Sequence, residues 1–278
     1  MNNKIPIIIL SYNRIDCLYL TISTLLSFID KDRYKILIWD DCSTDKRISK
    51  WLNGKNVSFS YDYSTLTNFL KRIGYKEKNI ALKRDEYQLP NIDEGLIEFH
   101  INEENLFKGF PGNYMKNGAA AINFAKEKFN NSEFIHIIEN DVIVCKETFE
   151  LSEKISLEET KIGCVQCGRS VSTRLFKNNR KFYSDIEISD SDGSGSQQMC
   201  LNKKSILAME NLLNKSSYNH GFDWSIHHWL YENGFRVVNF TNKSLYLHIG
   251  MNTSFNNNKF EDNMTFNPDF EKLKIVGL

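Results

Sequence analysis

Apolar positions along the chain fall into two patterns, short unbroken runs and residues recurring three and four apart. Residues 5–10 form an unbroken run rich in β-branched side chains, as in a strand covered on both faces. Ser11-Tyr12-Asn13-Arg14 breaks it, and Leu18, Ile22, Leu25, Leu26 and Ile29 then recur at helical spacing. Residues 34–39 predict a second buried strand. It runs out in Asp40-Asp41-Cys42-Ser43-Thr44-Asp45, where Ser43 or Thr44 is placed to cap a helix. Residues 96–101 predict a third strand, Pro111 opens a helix through Ala119, Ala120, Ala121 and Ala125, and residues 134–138 predict a fourth strand, ending at Glu139-Asn140-Asp141. Strands separated by helices need crossover connections. The pattern therefore predicts an α/β fold with a mostly parallel central sheet flanked by helices.

The C-terminal half is less regular. Residues 162–167, 235–240 and 245–250 predict strands, and residues 203–213 and 222–231 predict helices, the second closing at Asn233-Gly234. Residues 177–195 are polar, and Ser189 to Ser196 is expected to be flexible, because it lacks the ligand spacing and closing Glu of a calcium loop. Between Gly54 and Gly95 lies a polar, Tyr-rich insertion without a strand pattern. Within it Lys71, Arg72, Lys76, Lys78, Lys83 and Arg84 face a single Glu77. Long segments of this kind serve either a function or solvation. No internal repeat is present.

Composition narrows the class. The chain has 278 residues, 41% hydrophobic and 25% charged, with 35 basic and 35 acidic side chains, and can bury a substantial core. Zero net charge argues against a global grip on nucleic acid or anionic lipid. No apolar run approaches the ~18 residues of a membrane span. The opening apolar stretch is shorter than a signal-peptide core and no small-residue cleavage site follows, so the expected location is cytoplasmic. Six cysteines are too sparse for a disulfide scaffold. Cys164 and Cys167 have redox-pair or half-zinc spacing, but on a strand they point to opposite faces, so they are read as buried thiols.

In open α/β sheets, ligands bind outside the carboxyl ends of the strands. The polar segments at 11–14, 40–45 and 139–141 would thus converge on one rim. A nucleotide diphosphate is an anionic leaving group, and a hard divalent cation neutralises its developing charge with one or two protein carboxylates. Asp141 is the candidate ligand, with Glu139 helping. Tyr12 offers a flat face for a base, and Asp41 an acceptor for a ring N–H or ribose hydroxyl. A carboxylate at a strand end also serves as a helix cap, and that reading stays open.

The same residues carry a family resemblance. Ile7 to Arg14 followed by Ile36 to Asp45 resembles the opening of the GT-A nucleotide-sugar glycosyltransferases, especially family 2, with Cys42 in the usual Gly place. The likeness continues through Asn105-Leu106-Phe107-Lys108-Gly109 and Lys116-Asn117 to Glu139-Asn140-Asp141, where the family has Asn-x-Gly, Arg-Asn and its metal-binding Asp-x-Asp. Glu139-Asn140-Asp141 with the following residues is similar to the Glu-Asp-Asp region of N-acetylglucosaminyltransferase-I-like enzymes, whose last Asp binds the metal. The resemblance covers roughly the first 150 residues well and the rest loosely.

The resemblance implies a GT-A fold in one integrated domain. Residues 1–145 would form a Rossmann-like nucleotide-sugar-binding half with the insertion near 54–95, and residues 146–278 an acceptor-binding half with a C-terminal flap. It assigns nucleotide binding to Ser11, Tyr12, Arg14, Asp40, Asp41, Lys116, Asn117 and Asn140, and Mn2+ or Mg2+ to Asp141, Glu139 and His248. His248 in an apolar strand is equally a core residue. Asp223, at a helix start in His220-Gly221-Phe222-Asp223-Trp224-Ser225-Ile226-His227-His228-Trp229, resembles the catalytic base of inverting enzymes. The alternative is a structural Asp223–His227 pair one turn apart. Zinc on His220, His227 and His228 is not expected, since adjacent helical His side chains diverge.

The implied activity is inverting, divalent-metal-dependent transfer from a nucleotide sugar, a UDP-sugar by resemblance, to an acceptor hydroxyl. A glycan, lipid-linked glycan, protein or modified nucleic-acid base remains open as acceptor. The alternatives are a nucleotide- or carbohydrate-binding module with an inactive site and a nucleotidyltransferase. The latter needs a Gly-rich loop after the first strand, which residues 11–14 lack, and the absence of Gly-x-Gly there argues against a dehydrogenase.

Overall fold

The computed structural model describes residues 4–52, 95–106, 112–168, 180–191, 198–215, 217–242 and 244–248. The basic run at 71–84, residues 107–111, residues 192–196 and the C-terminal flap lie outside the described residues.

The chain opens with β1 (Ile5–Ser11), α1 (Ile15–Phe28), β2 (Tyr34–Asp40) and α2 (Lys46–Leu52). After the insertion come β3 (Ile97–Ile101), α3 (Gly112–Lys128), β4 (Phe134–Glu139), β5 (Val142–Val144), α4 (Glu147–Glu158) and β6 (Ile162–Gln166). The remainder is β7 (Lys181–Tyr183), β8 (Ile186–Asp190), β9 (Gln198–Asn202), α5 (Lys203–Ala208), α6 (Glu210–Leu213), α7 (Phe222–Glu232), β10 (Arg236–Phe240) and β11 (Tyr246–His248).

The unbroken apolar runs reflect burial on both faces. Ile7 and Ile9 of β1, with Ile36 and Ile38 of β2, pack under Leu18, Ile22 and Leu25 of α1. Their neighbours Ile8, Leu10, Leu37 and Trp39 point the other way, against Met115, Ala119 and Ile122 of α3. Alternate side chains thus need two different covers, which the crossover helices supply. A third cluster, including Val165, Cys167, Ile188, Val238 and Phe240, fills the C-terminal half. Cys164 and Cys167 fall in different clusters, both fully buried, and burial pushes both thiols up. No cysteine forms a disulfide.

A nine-stranded sheet runs in the order β3-β2-β1-β4-β9-β6-β10-β8-β7, and β11 pairs with β5 in a second sheet. Strands β3, β2, β1 and β4 are mutually parallel. Strand β9 runs antiparallel between β4 and β6, and so joins the two halves into one sheet. No described helix is long and apolar enough to cross a membrane.

Three local expectations are corrected. The polar stretch 177–195 contains the β7–β8 hairpin, and Ser189 and Asp190, expected to be flexible, are the end of β8, which pairs with β10. Ile186 and Ile188 alternate with Glu187 and bury on its inner face, a short period-2 signal masked by polar neighbours. The single helix expected over 203–213 is two helices, broken at Met209 (φ −83°, ψ 1°) and started by Asn202, whose side chain accepts from the Ser205 N–H at 2.9 Å. Helix α2 is capped by neither Ser43 nor Thr44. Asp45 accepts from the Arg47 N–H at 2.9 Å, because Ser43 is turned back to Asp40.

Two contacts fix the relative positions of the layers. Gly118 of α3 receives the ring of Phe222, the first residue of α7; a Cβ there would sit 2.1–2.9 Å from three ring carbons. In the core, Glu153 of α4 is 2% exposed. Its carboxylate accepts from the Tyr34 hydroxyl at 3.0 Å, lies 2.8 Å from His136 Nε2 and pairs with Arg33. Burial works to raise the Glu153 pKa, but the His136 hydrogen bond and the His136 and Arg33 charges outweigh it and hold it below the ordinary value.

Gly118→Ala should therefore cost about 1–3 kcal/mol through overpacking against Phe222. Urea unfolding checks this, and a loss under about 0.5 kcal/mol would contradict the close approach. Glu153 has a lowered folded pKa, so its contribution is complete above the unfolded value of 4.5 and fades as the pH falls through the lower folded value. Urea midpoints followed from about pH 6 to about pH 3 should fall less steeply in Glu153→Gln than in the wild type. Equal slopes would remove Glu153 from the acid response.

Candidate functional site

The parallel register carries the polar strand ends to one rim. Ser11 pairs with Asp40, and Leu10 with Glu139. The ladder then continues past the strands. Asp41 N–H donates to Ser11 O at 2.8 Å, Asn140 N–H to Leu10 O at 3.0 Å, and Asn102 N–H to Asp40 O at 2.9 Å.

Asn13 organises the loops above this rim. Asn13 and Arg14 both have φ of 52°, a left-handed conformation that Asn tolerates better than most residues. The Asn13 side-chain oxygen accepts from the N–H groups of Thr44 and Asp45 at 2.9 and 3.1 Å. Its own N–H donates to Ser43 Oγ at 2.6 Å, and its carbonyl accepts from Asn140 Nδ2 at 3.1 Å. From beneath, Thr21 of α1 donates to the Asn140 carbonyl at 3.0 Å. Cys42, with φ of 57°, occupies a left-handed turn position that glycine adopts without strain.

The two aspartates ending β2 do different things. Asp40 is fully buried and accepts from the Ser43 N–H at 2.8 Å and Ser43 Oγ at 2.6 Å. Burial raises its carboxyl pKa and neighbouring Asp41 adds to that, while the Ser43 and Ser11 hydrogen bonds oppose it. Asp40 therefore holds the loop. Asp41 Oδ1 accepts from Asn102 Nδ2 and the Leu106 N–H, both at 2.9 Å, and its carbonyl accepts from Asn105 Nδ2 at 3.1 Å. Asn117 backs this arrangement, its side-chain oxygen accepting from Trp39 Nε1 at 2.9 Å and Asn102 Nδ2 at 2.8 Å. Trp39 stacks on His100 with ring centroids 3.8 Å apart. Tyr12 is 39% exposed above the rim, and Lys116 is half-buried on α3.

At the end of β4, Asp141 is 1% exposed and ion-paired with Arg14. Glu139 is half-buried two residues earlier. The His248 backbone pairs with Val142, directly after Asp141, while its side chain lies outside the described residues. The described residues contain no group of three or more His, Cys, Asp or Glu side chains that could hold a metal ion. The carboxylates at this strand end are Asp141 and, two residues earlier, Glu139. That donor set fits Mg2+ or Mn2+ when phosphates complete the coordination.

Asp223 is half-buried in the first turn of α7, behind a Gly221 N-cap. The seat of Phe222 on Gly118, one residue from Asn117, ties this turn to the helix that carries Lys116 and Asn117. His227 does not pair with Asp223. It turns into the core with Nε2 3.8 Å from Cys164 Sγ, its Nδ1 has no hydrogen-bond partner, and burial pushes its pKa down to about 3. His228 pairs instead with Glu232 at 3.2 Å, and the His220 ring lies 5.7 Å from Trp224, so the three histidines diverge.

Sequence reasoning passed over Asn13 and Asn102 as site-building residues. Asn13 had a signal, a lone Asn straight after a buried strand, where left-handed backbone is common. Asn102 had none, because its role depends on the pairing of β3 with β2.

No protein-family model matches the chain, and a search of curated proteins finds no match. Solved structures do match. S. aureus TarS 1-349 in complex with UDP-GlcNAc aligns at 15% identity with a TM-score of 0.50, over 90% of this chain and 61% of that one. GalNAc-T7 with UDP, GalNAc and Mn2+ aligns at 11% identity with a TM-score of 0.54, over 85% of this chain and 42% of that one. This chain thus spans less than two thirds of either. The parallel β3-β2-β1-β4 half, extended through antiparallel β9 and matched by these structures, is the GT-A fold of nucleotide-sugar glycosyltransferases.

Proposed function

We propose that the chain is an inverting, divalent-metal-dependent glycosyltransferase that moves a sugar from a UDP-sugar to an acceptor hydroxyl. The observation that carries this reading is the buried Asp141 carboxylate, on the same strand-end rim as Asp41 in a GT-A fold. The two matched structures hold UDP or a UDP-sugar, and one holds Mn2+, which supports the choice of donor and cofactor.

In this reading residues 1–145 bind the donor and residues 146–278 the acceptor. Tyr12 presents its ring to the base, and Asp41 accepts from a ring N–H or ribose hydroxyl, its position held by Asn102 and Asn105. Ser11 and Asn140 set the backbone of the rim, Asp40 and Asn117 fix the loop behind it, and Arg14 and Lys116 supply positive charge to the diphosphate. Asp141, with Glu139 and His248, would hold Mn2+ or Mg2+, which would supply positive charge to stabilise the departing diphosphate. Asp223 accepts the proton of the acceptor hydroxyl as its oxygen attacks the anomeric carbon and the bond to the diphosphate breaks.

Asp141→Asn should lower Mn2+-dependent UDP release by about a hundredfold or more, since the cation provides several kcal/mol of charge stabilisation. Wild-type turnover that survives exhaustive chelation would sink the metal assignment. Asp223→Asn should slow transfer by about 10²–10⁴-fold while calorimetric UDP affinity is retained. A slowing of less than about tenfold would reject Asp223 as the base. Of the alternative carboxylates Glu187, Asp190 and Asp192 in the polar stretch, the first two are engaged with Thr241 Oγ1 at 2.7 Å and Arg236 Nε at 2.7 Å respectively, and Asp192 lies outside the described residues.

A further inference from the structure

A buried carboxylate needs a compensating cation, and at Asp141 that cation is Arg14. The two partners differ sharply in exposure: the Asp141 side chain is 1% accessible, whereas that of Arg14 is 30% accessible. The pair therefore has a solvent-facing cation lying over a buried anion. The Arg14 backbone is fixed, being left-handed (φ 52°, ψ 44°), directly after the hydrogen-bonded Asn13 and at the N-cap of α1. Its side chain makes no hydrogen bond that caps the helix, and its guanidinium pairs with Asp141. An arginine held at one end by its backbone can exchange one oxyanion partner for another without moving the loop.

A divalent cation and a guanidinium compete for the same carboxylate, because bringing both to it sets like charges against each other at short range. A diphosphate reverses the balance. Its oxygens match the guanidinium fork, and they add ligands for the metal at the same time.

We propose that Arg14 is a displaceable counter-ion: it neutralises Asp141 in the ligand-free protein, and on donor binding its guanidinium transfers to the diphosphate, releasing Asp141 to the divalent cation. This rests on the donor and metal reading given above. Metal and nucleotide binding are thereby coupled, each favouring the other by the same factor. Arg14 acts as a positioning residue in this exchange and touches the diphosphate only after it.

The test is Mn2+ binding, followed by the loss of the free-ion electron paramagnetic resonance signal, in wild type, Arg14→Gln, Arg14→Lys and Asp141→Asn, each with and without UDP. Removing a neighbouring unit charge should tighten Mn2+ binding by Arg14→Gln without UDP by about tenfold or more. The UDP-induced gain in Mn2+ affinity should shrink in step, with Arg14→Lys intermediate. Mn2+ alone should also raise the Tm of Arg14→Gln more than that of the wild type, since the metal restores the missing compensation. If Arg14→Gln does not fold even with Mn2+, Arg14→Lys decides, by binding Mn2+ either more tightly than wild type or no more tightly. Wild-type Mn2+ affinity and coupling in the folded Arg14 variants, with binding lost in Asp141→Asn, would overturn the counter-ion proposal and leave the metal reading standing. Absence of Mn2+ binding in every protein, with UDP present, would overturn both.

Discussion

Asn13 turns the chain out of β1 with a left-handed backbone, and from there its side-chain oxygen accepts from two N–H groups of the β2 loop while its carbonyl accepts from Asn140 after β4. Three strand ends that belong to different crossover units are thereby held in one arrangement. Without that bridge, the parallel ladder would align the strands but leave their loops independent, since loop backbone has no sheet partner of its own. Asp41, Arg14 and Asp141 all stand within one or two residues of an atom that Asn13 or its partners hold. The three strand-end loops are thus tied together by one residue, through its amide side chain and its own peptide groups.

Carboxylates are buried at several places in this fold, and each is compensated differently. Asp40 is satisfied by Ser43 and Ser11, and serves the loop. Asp141 is covered by a partly exposed arginine, an arrangement open to exchange. Glu153 lies deep between α4 and the sheet with Tyr34, His136 and Arg33 around it, and its lowered pKa reflects partners that do not leave. Removing one partner from such a buried set is costly because the remaining charge has no water to turn to. The deep network is therefore an element of stability.

The C-terminal half is attached through antiparallel β9 and through the contact of Phe222 with Gly118. Glycine is required there because no side chain fits under the ring. That close approach brings the first turn of α7, with Asp223, toward the helix that carries Lys116 and Asn117. The inner face of α7, with Phe222, Ile226, His227 and Leu230, is wholly buried. Burial of His227 keeps that histidine neutral and leaves Asp223 as the carboxylate of this turn.

The sequence by itself determined the parallel half. Its unbroken apolar runs, the helical spacing of Leu18, Ile22 and Leu25, and the acidic strand ends at Asp40, Asp41 and Asp141 follow from local periodicity and from the rule that ligands gather at carboxyl ends of parallel strands. It also determined that Cys164 and Cys167 point to opposite faces, since the side-chain period of a strand is two. Tertiary structure decided what depends on residues far apart in the chain. Strand β9 was illegible because Gln198 to Asn202 has no strong pattern, and it becomes a strand by lying between β4 and β6. Hairpin β7–β8 gains its order from β10, and Asn102 gains its role from the register of β3 on β2. Helix α2 is capped by Asp45 because Asn13, 30 residues before Ser43, draws Ser43 and Thr44 into a different network. The pairing of Arg14 with Asp141 spans 127 residues, and only the parallel register of β1 with β4 brings the two together. Local pattern encodes which faces must be buried, whereas the partners of buried polar groups are chosen by the folded chain, where the cost of leaving them unpaired is felt.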